Sequence, residues 1–277
     1  MRDAKRIVAG LLLGAGGLAC GQAFADTTGT VAATSEYLFR GVEQENGAAV
    51  QGSLTWNNPG GFYVGAWASN AAIAGGNELD IYGGWTTELG NGLSLDLGVI
   101  YYLYSEAEET PGSNSLDYPE VYAGLSFGGL SGKVFYAADI NDEASEAGTC
   151  QANLAALGFV GASCNNDQEG IYATLSYALT VKEGLDLTFQ VGHSTGDGVE
   201  NLMAAGFYTG SGPGNLNAGD DDSYTDYSIT LSKDLGNGMG ASFAFVDTDL
   251  EAVDGTGNTV FEDDGKFVVS FSKEFAL

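Results

Sequence analysis

About twelve short segments of alternating polar and apolar residues run from Val31 to Phe275, joined by gaps that are by turns tiny and long. Leu93, Leu95, Leu97, Val99, Tyr101 and Leu103, for example, are interleaved with Ser94, Asp96 and Gly98. A period of two sends the two sets to opposite faces of an extended strand. The tight connections carry turn chemistry, as in Asn58-Pro59-Gly60-Gly61, Gly90-Asn91-Gly92 and Leu235-Gly236-Asn237-Gly238. The long ones, 41–48, 71–77, 106–116, 141–168, 195–222 and 250–263, each follow an odd-numbered strand, so all fall at one end of the sheet.

A soluble β-sandwich gives no reason for so strict an alternation of connection lengths. Strands of about nine to eleven residues are long enough to cross a bilayer at a tilt. An even count, with both termini on the short-turn side, lets the sheet close and leaves no unpaired edge in lipid. The expectation is an all-β fold: a transmembrane antiparallel up-and-down β-barrel of about 12 strands over 26–277, with short periplasmic turns and long extracellular loops. Its first strand should run from Val31 to Arg40. Trp56, Phe62, Trp85, Phe127 and Phe275 beside the turns, and Phe39, Tyr101, Tyr104, Tyr118 and Tyr224 toward the loops, should form two interfacial girdles.

The first 25 residues supply the export route. Arg2, Lys5 and Arg6 precede an apolar run from Ile7 to Ala19 and an Ala23-Phe24-Ala25 cleavage site, the layout of a signal peptide, so the mature chain should begin at Asp26. The run is shorter than a membrane helix requires. Removing it takes away Asp3 and three basic residues and moves the formal charge from −28 to −30. So acidic a chain excludes nucleic-acid binding, while 14 Tyr, 14 Phe and 3 Trp mark a folded object rather than a disordered acidic tail. Cys20 leaves with the leader, so Cys150 and Cys164 remain in one long loop, where an exported protein is expected to join them as a disulfide.

Thr30-Val-Ala-Ala-Thr-Ser-Glu-Tyr-Leu-Phe-Arg-Gly-Val, Ala49-Val-Gln-Gly-Ser-Leu and Gly61-Phe-Tyr-Val-Gly-Ala-Trp-Ala-Ser-Asn resemble the TorF family of proteobacterial porins, most strongly over residues 29–105. That resemblance implies an outer-membrane channel and names no solute. The ending Phe275-Ala276-Leu277 departs from the terminal aromatic common in such barrels.

On the period-two reading, the inward positions include Glu36, Arg40, Gln51, Asp80, Asp96, Glu120, Lys133, Asp139, Asp186 and Gln190 as candidate pore-lining residues. Carboxylates dominate this set, which points to cation preference in a passive channel for small hydrophilic solutes. Glu36, Arg40 and Lys133 are the residues expected to set a transverse field, unless Glu36 and Arg40 merely pair to stabilise the wall. The partners expected are outer-membrane lipid, lipopolysaccharide, small solutes or cations, and the barrel assembly machinery during biogenesis. No cofactor, metal centre or enzymatic activity is expected. Asp142, Glu143, Asp220, Asp221, Asp222, Glu262, Asp263 and Asp264 could hold a divalent cation but lack the spacing of a calcium loop. Two further classes are a non-conducting adhesion barrel and an acyl hydrolase built on His193, the only histidine, whose neighbour Ser194 would face the other way.

Overall fold

A computed structural model describes residues 26–45, 47–70, 76–104, 117–138, 169–197, 199, 223–249, 251–253, 259–262 and 265–277. The expected signal peptide, Asp139, the Cys150–Cys164 pair and the loop carboxylates Asp142, Glu143, Asp220, Asp221, Asp222, Asp263 and Asp264 lie outside these residues, as does the side chain of Glu262.

Twelve antiparallel strands close into a barrel: β1 (Asp26–Thr34), β4 (Ala49–Asn57), β5 (Phe62–Ser69), β6 (Glu78–Gly90), β7 (Leu93–Tyr104), β8 (Tyr118–Phe127), β9 (Leu130–Ala137), β10 (Gly170–Lys182), β11 (Leu185–Thr195), β12 (Ser223–Gly236), β13 (Met239–Thr248) and β16 (Lys266–Ala276). Each pairs with its neighbours along the chain, and β1 closes the ring against β16 with Thr28 opposite Ala276 and Thr34 opposite Ser270. Two short hairpins stand outside the ring order: β2 (Tyr37–Phe39) with β3 (Val42–Glu45), and β14 (Glu251–Val253) with β15 (Thr259–Glu262). Closure leaves no strand of the ring with an unpaired edge, which a sheet in hydrocarbon requires.

The turns follow from residues that tolerate positive φ. Asn91 (φ 54°) with Gly92 (φ 81°), and Asn237 (φ 55°) with Gly238 (φ 75°), each supply the two successive left-handed residues that match the twist of a tight hairpin.

Alternation then sorts the two faces. Val31, Leu54, Val64, Ile81, Val99, Val121, Val134, Leu175, Ile229 and Phe243 are exposed on the outer wall. In water, a continuous apolar belt of this kind would be a large liability; in a bilayer it is the lipid-facing surface. Among the described residues no helix is long and apolar enough to cross a membrane. Trp56, Phe62, Phe127 and Phe275 are exposed near the short turns. At the loop end the expected girdle is different: Phe39, Tyr104, Tyr118 and Tyr224 are buried, whereas Tyr101, Tyr136, Tyr227 and Phe267 face outward. The four buried rings sit on the inner face or on the β2–β3 hairpin, where they pack against one another and not against lipid.

The main departure lies at the end of the first strand, which leaves the wall at Thr34 instead of continuing to Arg40. Thr34 Oγ1 donates to the Glu36 carbonyl at 2.8 Å, turning the chain inward. Arg40 (φ 52°) and Gly41 (φ 84°) form the tip of the β2–β3 hairpin, so Val42–Glu45, expected within a loop over 41–48, form its returning strand. Arg-Gly at a left-handed corner and the unbroken apolar run Tyr37-Leu38-Phe39 are the local reasons: neither fits a strand with one face in lipid and one in water.

Candidate functional site: the lumen and its inward hairpin

The β2–β3 hairpin crosses the loop-side half of the lumen and touches strands around most of the ring. At its base, Glu43 pairs with Lys266 of β16 at 3.1 Å. Leu38 packs with Ala244 and Val246 of β13 and Val268 of β16. On the opposite side Tyr37 meets Trp67 of β5, with ring centroids 5.5 Å apart, and Phe39 meets Tyr102 of β7 edge-on at 5.7 Å. The tip requires glycine at 41: a Cβ there would come within 2.6 Å of both Thr248 and Asp226, and its φ lies in the left-handed region.

Arg40 is the hairpin's charged anchor. Its Nη2 donates to both carboxylate oxygens of Glu120, at 2.6 and 2.7 Å, and both side chains are almost fully buried. The guanidinium lies 4.4 Å from the ring centre of Tyr172, 4.7 Å from Phe39 and 5.5 Å from Phe135. Tyr102 adds a hydroxyl to Glu120 Oε2 at 2.9 Å. Charge pairing, aromatic faces and exclusion of water reinforce each other here, because the attraction of a cation to a ring grows as both are desolvated. The sequence reading that sets Glu36 and Arg40 on one strand face, to make a transverse field or to pair, is therefore corrected: Arg40 reaches across the lumen to Glu120, and Glu36 stays at the hairpin base beside Glu43 and Lys266. Burial, with Glu43 nearby, raises the Glu36 carboxyl above the usual carboxylate range, and Lys266 opposes that rise.

Below the hairpin a second polar group spans the β5–β9 wall. Lys133 Nζ pairs with Asp96 at 2.8 Å, Tyr63 donates to the other Asp96 oxygen at 2.6 Å, and Tyr63 and Tyr122 share a 2.6 Å hydroxyl contact. Three glycines make room: a Cβ at Gly65, Gly84 or Gly98 would collide with Tyr82, Tyr63 or Tyr122 respectively. The wall across from it, on β10–β13 and β16, carries small hydroxyls such as Ser176, Ser228, Thr230, Ser242 and Ser270. Paired charges and most of the inward tyrosines thus concentrate on the β5–β9 wall, whereas the other wall sets short hydroxyls around Tyr172, Asp186 and Asp226.

Of the sequence-nominated residues, Gln51, Asp80, Asp96, Glu120, Lys133, Asp186 and Gln190 stand on the inner face of their strands. Asp96 meets Lys133 and Glu120 meets Arg40, while Asp186 accepts from Thr180 at 2.7 Å near the turns. Glu78 was missed, and so was Asp226. Both are inward and buried, at 2% exposure each. Asp80 is fully buried, and neither of its oxygens has a hydrogen-bond donor. Glu78 could have been found by stepping two residues back from Asp80 along the same face. His193 faces outward, 3.2 Å from Thr225 Oγ1, with Ser194 on the inner face of the same strand. Among the described residues no group of three His, Cys, Asp or Glu is placed to hold a metal ion.

The model for Gcw_chp, described as a bacterial protein of unknown function, matches residues 19–275. This chain belongs to the Gcw_chp family. No curated protein matches it by sequence. Among solved structures, this Gcw_chp barrel is similar to a chain from a study of the in-meso crystallisation of membrane proteins (8% identity, 91% of this chain, 84% of that chain, TM-score 0.50). It is also similar to the NanC porin (10% identity, 92% and 100% coverage, TM-score 0.49) and to an outer-membrane channel from Pseudomonas putida F1 (13%, 93% and 97%, 0.44). At 8% identity the likeness at TM-score 0.50 extends to the fold alone.

Proposed function

We propose that this chain is an outer-membrane channel for passive diffusion of small hydrophilic solutes, selective for cations, whose loop-side half is narrowed by its own β2–β3 hairpin. The observation that carries this reading is the two-faced closed barrel, with an apolar belt outside and a polar, charged lumen inside. Cation preference is supported by the inward carboxylates Glu78, Asp80, Asp96, Glu120, Asp186 and Asp226, which among the described residues outnumber the inward cations Arg40, Lys133 and Lys266. The TorF resemblance of residues 29–105 supports the outer-membrane channel reading, with lipopolysaccharide as its surroundings, and names no solute. Twelve strands enclose a lumen between the filled eight-stranded and the open sixteen-stranded barrels.

The test is single-channel recording of refolded mature protein in planar bilayers with a salt gradient. Discrete steps with a reversal potential toward the cation equilibrium value are expected. The hairpin favours a second reading, a non-conducting surface barrel. A barrel that inserts but stays silent, even after the hairpin is cut away, would establish that reading in its place.

A further inference from the structure

We propose that the wall facing Arg40 is a binding cage for organic cations, filled in this state by the chain's own guanidinium. The proposal deepens the channel reading, since a solute reaches the cage through the lumen.

The cage is built by strands other than the one that fills it. Glu120 stands on β8, Tyr102 on β7, Phe135 on β9, Tyr172 on β10 and Asp226 on β12. These groups are held by contacts that do not involve Arg40. Tyr172 donates to Asp226 Oδ1 at 3.3 Å, Phe135 packs against Tyr172 and Tyr122, and Tyr102 packs against Tyr118 with ring centroids 4.8 Å apart. Gly192 leaves space for the Tyr172–Asp226 pair, because a Cβ there would come within 2.3 Å of both Tyr172 Oη and Asp226 Oδ2. The site therefore outlasts the departure of its occupant.

Its chemistry selects the ligand. Two neighbouring ring faces, Phe135 and Tyr172, lie against one side of the cation position, and both oxygens of the Glu120 carboxylate lie within hydrogen-bonding distance of one guanidinium nitrogen. A planar guanidinium or small alkylammonium uses both, whereas a hydrated alkali ion keeps its water and gains little from the rings. The cage also holds more acceptors than Arg40 satisfies: Asp226 Oδ2 is buried with no hydrogen-bond partner. When the hairpin lifts, Glu120 loses its paired cation and Asp226 a nearby one, and two carboxylates left without a cation favour a replacement. A cationic solute that takes the cage keeps Arg40 out of it, so ligand and hairpin compete for one position.

The experiment is calorimetric titration of methylguanidinium, the smallest copy of what Arg40 inserts, into folded mature protein in detergent, with sodium at equal ionic strength as reference. Arg40→Ala empties the cage and should bind methylguanidinium saturably; wild type should bind it at least about tenfold more weakly, and so should Arg40→Ala with Glu120→Gln, since a charge-assisted hydrogen bond is worth that much. No binding to Arg40→Ala, or equal binding once Glu120 is neutral, overturns the proposal. Should Arg40→Ala fail to fold alone, millimolar methylguanidinium in the refolding buffer should restore heat-modifiable barrel where sodium chloride does not, and failure of that rescue is equally fatal. Binding without conductance would remove the channel reading and leave the cage; conductance without binding would do the reverse.

Discussion

Lys133 and Arg40 sit in the lumen as members of buried pairs, and their removal leaves a carboxylate behind. With Lys133 gone, Asp96 keeps only the Tyr63 hydroxyl while remaining almost fully buried. Breaking such a pair from one side costs about 3–5 kcal/mol, whereas replacing both members with neutral groups of similar volume costs far less. Lys133→Ala should therefore lower stability by roughly that amount, read from reversible urea unfolding in detergent or liposomes, and Lys133→Met with Asp96→Asn should recover most of it. If the single and double variants are equally destabilised, the pair is not what holds Asp96.

On the proposed channel reading, the β2–β3 hairpin is the element on which permeability turns. Replacing residues 36–46 with a short turn removes Leu38, Phe39 and Arg40 from the lumen while leaving the twelve wall strands intact. The shortened protein should insert and conduct in larger steps than wild type, and unchanged step size would mean that the hairpin does not narrow the conducting path. The hairpin base also carries a pH dependence whose sign is set by Glu36. Its carboxyl titrates above the usual range in the folded state, so the folded form favours the neutral acid. That contribution is fully present below the ordinary carboxylate value and is lost as pH rises through the raised one. Bilayer recordings should accordingly show the hairpin seated in acid and released more often toward neutral pH, with Glu36→Gln flattening the dependence. The same slope in both proteins would assign it to other groups.

At the scale of the whole barrel, the outer wall faces hydrocarbon and the inner wall faces water, and one substitution on each surface separates the two. Val99 is exposed midway along β7. Arginine there should cost about 2–4 kcal/mol, the depth-dependent penalty for a charge at the bilayer midplane, measured by refolding into liposomes. Ser228 lies on the inner face of β12. Ser228→Lys should fold normally and shift the reversal potential toward anions. Comparable folding defects in both variants would contradict the assignment of faces.

The alternation of polar and apolar residues, the spacing of Asn-Gly turns and the short and long gaps determined strand number, closure and which face of each wall strand is apolar. All of these depend on neighbours along the chain and on the contrast between lipid and water. The inward positions of Asp96 and Lys133 were legible for that reason, and their pairing was not, because the two meet only through the registers of β7 with β8 and of β8 with β9, which set Gly124 opposite both. The path of residues 35–45 was decided by tertiary structure alone. Tyr37-Leu38-Phe39 reads as the end of a strand until a closed lumen offers it apolar wall residues such as Trp67 and Val246. Arg40 reads as a partner for Glu36 until Glu120, eighty residues away, is brought within hydrogen-bonding distance. A buried cation goes to the carboxylate that desolvation leaves most in need of it, and which carboxylate that is depends on the whole ring of strands.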